Sequence, residues 1–96
     1  MSVVTMTRFT IDPHDAEELR VRHAALVAAV RSVTPGLVAA QLGKLDDQTW
    51  LGVWRWESAE HLRAAREIAP SQPTTADAFA LAADVTVEQM DLVDER

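Results

Sequence analysis

Cysteine is absent from the 96-residue chain. Its absence excludes disulfide bonds, thiolate metal sites, iron–sulfur clusters and cysteine nucleophiles. Only three glycines occur, at Gly36, Gly43 and Gly52, and their spacing matches no phosphate-binding loop or dinucleotide fingerprint. No apolar run approaches the roughly 18 to 20 residues of a membrane-spanning helix, and no signal-peptide pattern opens the chain. We therefore expect a cytoplasmic protein with no membrane partner.

Basic residues are also scarce. Nine Lys and Arg against fifteen Asp and Glu give a net charge of 9 − 15 = −6, and the cations lie among carboxylates. Nucleic-acid binding needs clustered Lys and Arg, so it is not expected here. The three histidines lack the spacing of a metal-ligand cluster, and we expect no metal site. The length and the 48% hydrophobic content predict a single globular domain over residues 1–96.

Hydrophobic periodicity divides the chain into strands and helices. Short segments rich in β-branched and aromatic residues predict strands, whereas apolar residues at three- and four-residue spacing predict helices. The predicted strands are Val3–Ile11, Leu37–Lys44, Thr49–Trp56 and Val85–Val93. The predicted helices run from Ala16 to just before Pro35, over Ala59–Ala69 and over Ala76–Ala83, with a loop at Pro70–Thr75.

Two polar signals predict where the long helices begin. Asp15 with Glu18 three residues later resembles a capping box, in which both side chains bind free backbone amides. Ser58 stands directly before the second helix, where a hydroxyl caps well. The resulting order, β-α-β-β-α-β, predicts an α+β, ferredoxin-like fold whose four-stranded antiparallel sheet carries both helices on one face.

The strands are apolar on both faces. In the third strand Leu51 and Val53 alternate with Trp50, Trp54 and Trp56, so neither parity is polar. Two helices cover only one side of a sheet. The apolar residues on the uncovered side predict that a second copy of the chain packs there, sheet against sheet. The result would be a homodimer with the architecture of a dimeric α+β barrel.

Four short segments resemble a known family. They are Phe9–Pro13, Ala16–Leu19, Pro35–Gly36 and Trp54–Ser58, and the most specific of them is Trp56-Glu57-Ser58. The pattern from Val3 to about Val93 is similar to the antibiotic biosynthesis monooxygenase family of dimeric α+β barrels.

That resemblance implies oxidation of aromatic polyketides by molecular oxygen with no metal or flavin cofactor. It also places an Asn four residues before the closing Trp and a Tyr on the following helix in the site. This chain has Gly52 and Leu62 there, and only Trp56 matches. A haem-degrading sister group uses a His on the helix before the last strand. The corresponding segment, residues 77–80, has no histidine, so we expect no haem.

Five residues are candidates for a ligand pocket between sheet and helices. Trp54 and Trp56 share one face of their strand and offer an aromatic wall for a flat ligand. His23 lies in the apolar stripe of the first helix, where a neutral imidazole acts as a base or binds a phenol, unless a backbone carbonyl satisfies it. Phe9 and Phe79 complete the pocket.

Other polar residues have simpler interpretations. His14 and His61 are expected on the surface. Arg8, inside a strand, predicts either a buried ion pair with a group such as Glu88 or an anion-binding role. Trp50 and Trp54 each belong equally well to the wall or to the core.

Three functions remain open. The first is a cofactor-independent monooxygenase acting on a small aromatic or polyketide-like compound. The second is a non-catalytic dimer of the same fold that binds a small hydrophobic ligand or serves as an assembly module, with the tryptophans as core. The third is isomerisation or cyclisation of a similar compound without oxygen. No catalytic residue is assigned by the sequence.

Overall fold

The computed structural model describes residues 2–96. Its strands are β1 (Val3–Ile11), β2 (Leu37–Lys44), β3 (Thr49–Trp56) and β4 (Ala82–Asp91). Its helices are α1 (Ala16–Val33), α2 (Ala59–Ile68) and α3 (Pro73–Ala80), and single 3-10 turns at Pro13–Asp15 and Ala69–Ser71 precede α1 and α3.

The strands form one antiparallel sheet in the order β2-β3-β1-β4. β1 is therefore central, and its Thr5 lies opposite Trp54 of β3 on one side and Gln89 of β4 on the other. The sheet with its helices is the α+β, ferredoxin-like fold that the element order predicts. No helix in residues 2–96 is both long and apolar enough to cross a membrane.

The N-terminus of α1 differs from the prediction. Asp15 occupies the cap position but its side chain caps nothing, while Asp12 accepts a hydrogen bond from the His14 amide at 2.9 Å and starts the preceding 3-10 turn. Glu18 pairs instead with Arg22 four residues later, at 2.8 Å. The capping-box prediction is wrong because the chain enters α1 through this turn. By contrast, Ser58 caps α2 as predicted, accepting from the amide of residue 61.

The third helix begins earlier than the sequence pattern indicates. The prediction placed a loop through Thr75, but α3 begins at Pro73. Proline has no amide to lose at the first helical position, and its fixed φ suits that place, so Pro73 starts a helix there. The last strand shifts with it and begins at Ala82 instead of Val85.

The helix-facing side of the sheet contains the core. Its main cluster joins the start of β1, the start of β2 and the end of β3 to all three helices. The cluster consists of Val3, Leu26, Val30, Leu37, Trp56, Leu62, Ala65 and Ala78. A second cluster contains Phe9, Ile11 and Leu19, with Trp50 packed against it. A shift of register between Leu37 and Ala39 places Leu37, Ala40 and Leu42 on the same face as the tryptophans. The alternation of faces along β2 is therefore broken at its start.

The opposite side of the sheet has apolar side chains at its centre and polar or charged ones around them, among them Gln41, Arg55 and Glu88. Its outward-facing apolar side chains are Val4, Met6, Leu51, Val53 and Met90. Arg8 lies on this side as well and is exposed in the single chain. An ion pair of Arg8 buried across a dimer face therefore stays a prediction.

Candidate ligand cavity

A cavity of about 180 Å³ lies between the sheet and the helices. All five residues that the sequence singled out line it: Phe9, His23, Trp54, Trp56 and Phe79. Its other lining residues are Thr5, Thr7, Leu26, Val30, Gly52, Leu62, Ala65, Arg66, Ala69, Thr75 and Val87. The strands provide the floor of the cavity and the three helices its walls.

Two of the three tryptophans form an aromatic wall in the cavity. Trp54 and Trp56 project from the same face of β3, and their ring centroids lie 6.2 Å apart with planes tilted by 43°. Trp50 does not line the cavity. It packs in the second core cluster, where its indole nitrogen is buried with no hydrogen-bond partner.

Trp56 is held by the neighbouring strand. Its indole N–H donates to the Thr5 hydroxyl oxygen across the β1–β3 pair at 3.3 Å, and only 2% of the residue is exposed. The Trp56 N–H is therefore engaged within the protein. Trp56 offers a ligand its ring face but no hydrogen bond.

His23 accepts a hydrogen bond from Trp54. The Trp54 indole nitrogen lies 2.9 Å from His23 Nε2, and the two rings meet edge to face. An indole only donates, so Nε2 must be unprotonated and the neutral imidazole carries its proton on Nδ1. Burial lowers the pKa of His23, which favours the same neutral form.

This hydrogen bond changes the role open to His23. The sequence allowed a base or a residue satisfied by a backbone carbonyl, whereas the partner of Nε2 is a cavity tryptophan. Because the Nε2 lone pair is occupied, it is not free to take a proton from a ligand. His23 instead fixes the orientation of Trp54, and so of the aromatic wall.

The two phenylalanines meet from opposite sides of the cavity. Phe9 of β1 and Phe79 of α3 have ring centroids 5.7 Å apart, tilted by 49°. Phe9 is fully buried, whereas Phe79 is 37% exposed. Phe79 therefore lies where the cavity approaches solvent, near the half-exposed Val87 of the edge strand β4.

The sequence analysis missed the polar residues that line the cavity. Thr75 on α3 has a buried hydroxyl with no hydrogen-bond partner. Thr5 and Thr7 project from β1 towards the helices. Arg66 comes from the last turn of α2, and its Nη1 donates to the Gln89 side-chain oxygen of β4 at 3.0 Å. Alternation along β1 places Thr5 and Thr7 on the same face as Phe9 and could have indicated them. Nothing in the sequence indicated Thr75 or Arg66.

The remaining histidines lie outside the cavity. His14 is exposed, as expected, and its Nδ1 lies 3.0 Å from Asp12. His61 was also expected on the surface but is half-buried: its Nδ1 lies 2.7 Å from the Ser58 hydroxyl, and its ring packs against Gly36. Within residues 2–96, no three His, Asp or Glu side chains converge as a metal site would require.

Comparison with known proteins gives one family match. A family model described as antibiotic biosynthesis monooxygenase matches residues 2–72, which is most of the chain. No curated protein matches the sequence.

Several solved structures share the fold. Rv0793 of Mycobacterium tuberculosis is 22% identical, with 99% of this chain and 98% of that chain covered and a TM-score of 0.73. SnoaB of Streptomyces nogalater, described as a cofactor-independent oxygenase, is 22% identical, with coverage of 98% and 95% and a TM-score of 0.68. A monooxygenase from ActVA-Orf6 of Streptomyces coelicolor, in complex with nanaomycin D, is 18% identical, with coverage of 99% and 90% and a TM-score of 0.77. At these identities the likeness shows the fold alone.

Proposed function

The chain belongs to the antibiotic biosynthesis monooxygenase family, and from that membership we propose that it is a cofactor-independent monooxygenase acting on a small aromatic compound in the cavity. The observation that carries this proposal is the cavity itself, an apolar chamber with an aromatic wall in the middle of a domain of this family. The oxygenase SnoaB and the nanaomycin D complex of the Streptomyces coelicolor enzyme support it by analogy.

The size of the cavity limits the ligand. An engineered apolar cavity of about 150 Å³ in another protein holds benzene, so about 180 Å³ suits a compound of one or two fused rings. A larger polycyclic compound would have to extend through the opening beside Phe79 and Val87. The preferred substrate is therefore a small phenol or naphthol.

The chemistry asks little of the protein beyond binding. Once deprotonated, a phenolic ring is electron-rich enough to reduce molecular oxygen by itself. One oxygen atom becomes a carbonyl oxygen on a ring carbon. The other leaves as water, with one hydrogen from that ring carbon and one from the phenol hydroxyl. The protein would orient the ring on Trp54 and Trp56, exclude water and stabilise the anion with its hydroxyl and guanidinium donors.

We also infer that the outer face of the sheet is covered by a second copy of the chain. Met6, Leu51 and Val53 lie at its centre, and an apolar face of this kind is covered at low cost by an identical face related by a two-fold axis. Light scattering should give a particle of twice the 10.6 kDa chain mass. Val53→Glu should reduce the mass to that of one chain, while Val21→Glu, on the exposed side of α1, should leave it doubled. A monomeric wild type would contradict this inference.

One observation favours binding without catalysis. The His23 Nε2 lone pair accepts from Trp54, and the Trp56 N–H donates to Thr5, so the cavity offers no free base at His23 Nε2 and no free indole donor. A dimeric protein that only binds a small aromatic ligand is therefore the second candidate function.

Oxygen consumption separates the two functions. The purified protein would be incubated in chelator-containing buffer with one-ring phenols and two-ring naphthols, with anthrone as a larger member, while dissolved oxygen and ligand binding are both measured. Protein-dependent oxygen uptake with formation of a quinone supports the monooxygenase. Binding without uptake supports the binding protein, and absence of both contradicts a ligand role for the cavity.

A further inference from the structure

The cavity is lined by a single charged side chain, and that charge is positive. The chain carries fifteen Asp and Glu residues and a net charge of −6, yet none of these carboxylates lines the cavity. Of the two ionisable lining residues, His23 is neutral because burial and its bond to Trp54 both disfavour the imidazolium. Arg66 is therefore the only source of charge for a bound molecule.

Arg66 lines the cavity and retains free donors. A guanidinium has five N–H groups, and the only side-chain bond that Arg66 forms is the one from Nη1 to Gln89. Among residues 2–96 its guanidinium forms no salt bridge, unlike Arg20, Arg22 and Arg55. A planar guanidinium with unused donors is the side chain best matched to a carboxylate, which it binds through two parallel hydrogen bonds.

Thr75 supplies a second polar contact. Its hydroxyl lines the cavity, is buried, and has no partner in the protein. Leaving such a group unpaired costs free energy, so a ligand oxygen that reaches it regains that loss. The adjacent Thr74 also has a buried, unpaired hydroxyl but does not line the cavity. Thr74 can therefore serve as the control for Thr75.

We propose that the cavity selects a hydroxylated aromatic carboxylic acid, with the ring against the tryptophan wall, the carboxylate on Arg66 and a ring oxygen on Thr75. This proposal rests on the proposed function, since it assumes that the cavity binds an aromatic molecule. It goes further because it states the charge of that molecule and names Arg66 and Thr75 as the side chains that bind its polar groups. Gln89 then serves to hold the guanidinium over the opening in the absence of ligand.

The test compares an acid with its uncharged isostere. Isothermal titration calorimetry would measure binding of 6-hydroxy-2-naphthoate and of 6-hydroxy-2-naphthamide, which differ in charge but hardly in shape. A charge-assisted bond to a partly exposed arginine should favour the acid by about 3- to 10-fold. Arg66→Gln should abolish that preference by weakening the acid alone. Arg63→Gln, on the same helix but away from the cavity, changes the net charge equally and should keep the preference.

The threonine pair is tested in the same way. Thr75→Val should weaken the acid and the amide alike, by about 2- to 10-fold, because each loses the same hydrogen bond. Thr74→Val should leave both affinities unchanged. Neither substitution should lower the melting temperature, since each replaces an unpaired buried hydroxyl by a methyl group of similar size. That measurement separates loss of a contact from loss of folding.

The outcomes distinguish this proposal from the one on which it rests. Equal affinities for the acid and the amide, or a preference that survives in Arg66→Gln, would overturn the assignment of an acidic ligand while leaving the cavity as a binding site. The same holds if neutral naphthols are oxidised and the acid neither binds nor reacts. If no aromatic compound binds or consumes oxygen, both proposals are wrong.

Discussion

The bond between His23 and Trp54 gives the sharpest test of how the cavity is built. His23→Leu removes the acceptor and puts an apolar side chain in its place, which leaves the Trp54 N–H without a partner in a partly buried position. His23→Gln removes the ring but places an amide oxygen near the former Nε2 position. If the histidine serves as an acceptor, Leu should be more harmful to stability than Gln.

The magnitude follows from the burial of the two groups. An unpaired buried donor costs about 1–3 kcal/mol, and because Trp54 is only partly buried the lower half of that range applies. We therefore expect His23→Leu to reduce the free energy of unfolding by about 1–2 kcal/mol more than His23→Gln does. Trp54→Phe removes the donor, so in that background the difference between Leu and Gln should fall by about 1 kcal/mol.

Urea denaturation followed by far-ultraviolet circular dichroism measures these free energies without relying on tryptophan fluorescence, which the substitutions alter. Equal costs for Leu and Gln, or a difference that persists in the Trp54→Phe background, would show that the bond does not contribute to stability. His23 would then be packed for its shape, and its Nε2 would be available to a ligand as a base.

The pH dependence of stability gives an independent reading of the same residue. Burial lowers the pKa of His23 below its ordinary value of 6.5, so the unfolded chain binds more protons than the folded chain as the pH falls through 6.5. The contribution of His23 is therefore complete above pH 6.5 and is lost towards lower pH. Between pH 7.5 and 5.5 wild type should lose more stability than His23→Gln, which lacks the His23 imidazole but keeps every other titrating group. Parallel curves would refute the pKa shift.

Three further substitutions test the backbone and the packing. Gly36 has φ +101°, and an added Cβ would lie 2.5 Å or less from the His61 side chain. Gly36→Ala should therefore lower the free energy of unfolding by at least about 2 kcal/mol, and His61→Ala should partly restore it. A neutral effect in urea denaturation would contradict the geometry. Leu19 is fully buried, so Leu19→Ala should lower the free energy of unfolding by about 2–5 kcal/mol in the same assay. A loss of less than about 1 kcal/mol would show that the surrounding side chains fill the space or are loosely packed. Gly52→Ala adds a methyl group at ordinary contact distances, the nearest 3.6 Å, so it should keep or slightly raise the melting temperature while weakening naphthol binding. Gly43→Ala, in open space, is its control, and equal binding by both variants would place the ligand elsewhere.

The fold was predictable because periodicity and order are local properties of the sequence. Strands in which both parities are apolar, as in β3, and a helix stripe through Leu19 and Leu26 do not depend on distant contacts. The errors came where two local signals competed. Asp12 and Asp15 both suit a cap, and only the path of the chain selects Asp12. Pro73 reads as a loop or as the first residue of a helix, and tertiary packing of α3 decides between them.

The cavity was predictable in its aromatic residues and not in its polar ones. Strand parity places Trp54 and Trp56 on one face, and helix periodicity turns His23 towards them. Which hydrogen bond each ring makes depends on distances of a few tenths of an ångström between elements, and the sequence does not contain these. Arg66 lies off the apolar stripe of α2, and only its long side chain, bonded to Gln89, returns to the cavity opening.

The donors that line the cavity come from elements other than those the family resemblance indicates. That resemblance places an amide and a phenol at the positions of Gly52 and Leu62, where this chain has a bare strand and an apolar wall. The available polar groups are instead hydroxyls of β1 and α3 and the Arg66 guanidinium at the end of α2. Because hydrogen-bond donors stabilise charge only where they lie close to it, a substrate bound here must place its oxygens towards these elements and not towards the centre of β3. Under the proposal of an acidic ligand, the same scaffold and tryptophan wall would select a differently substituted ring, and the acid–amide comparison measures that selection directly.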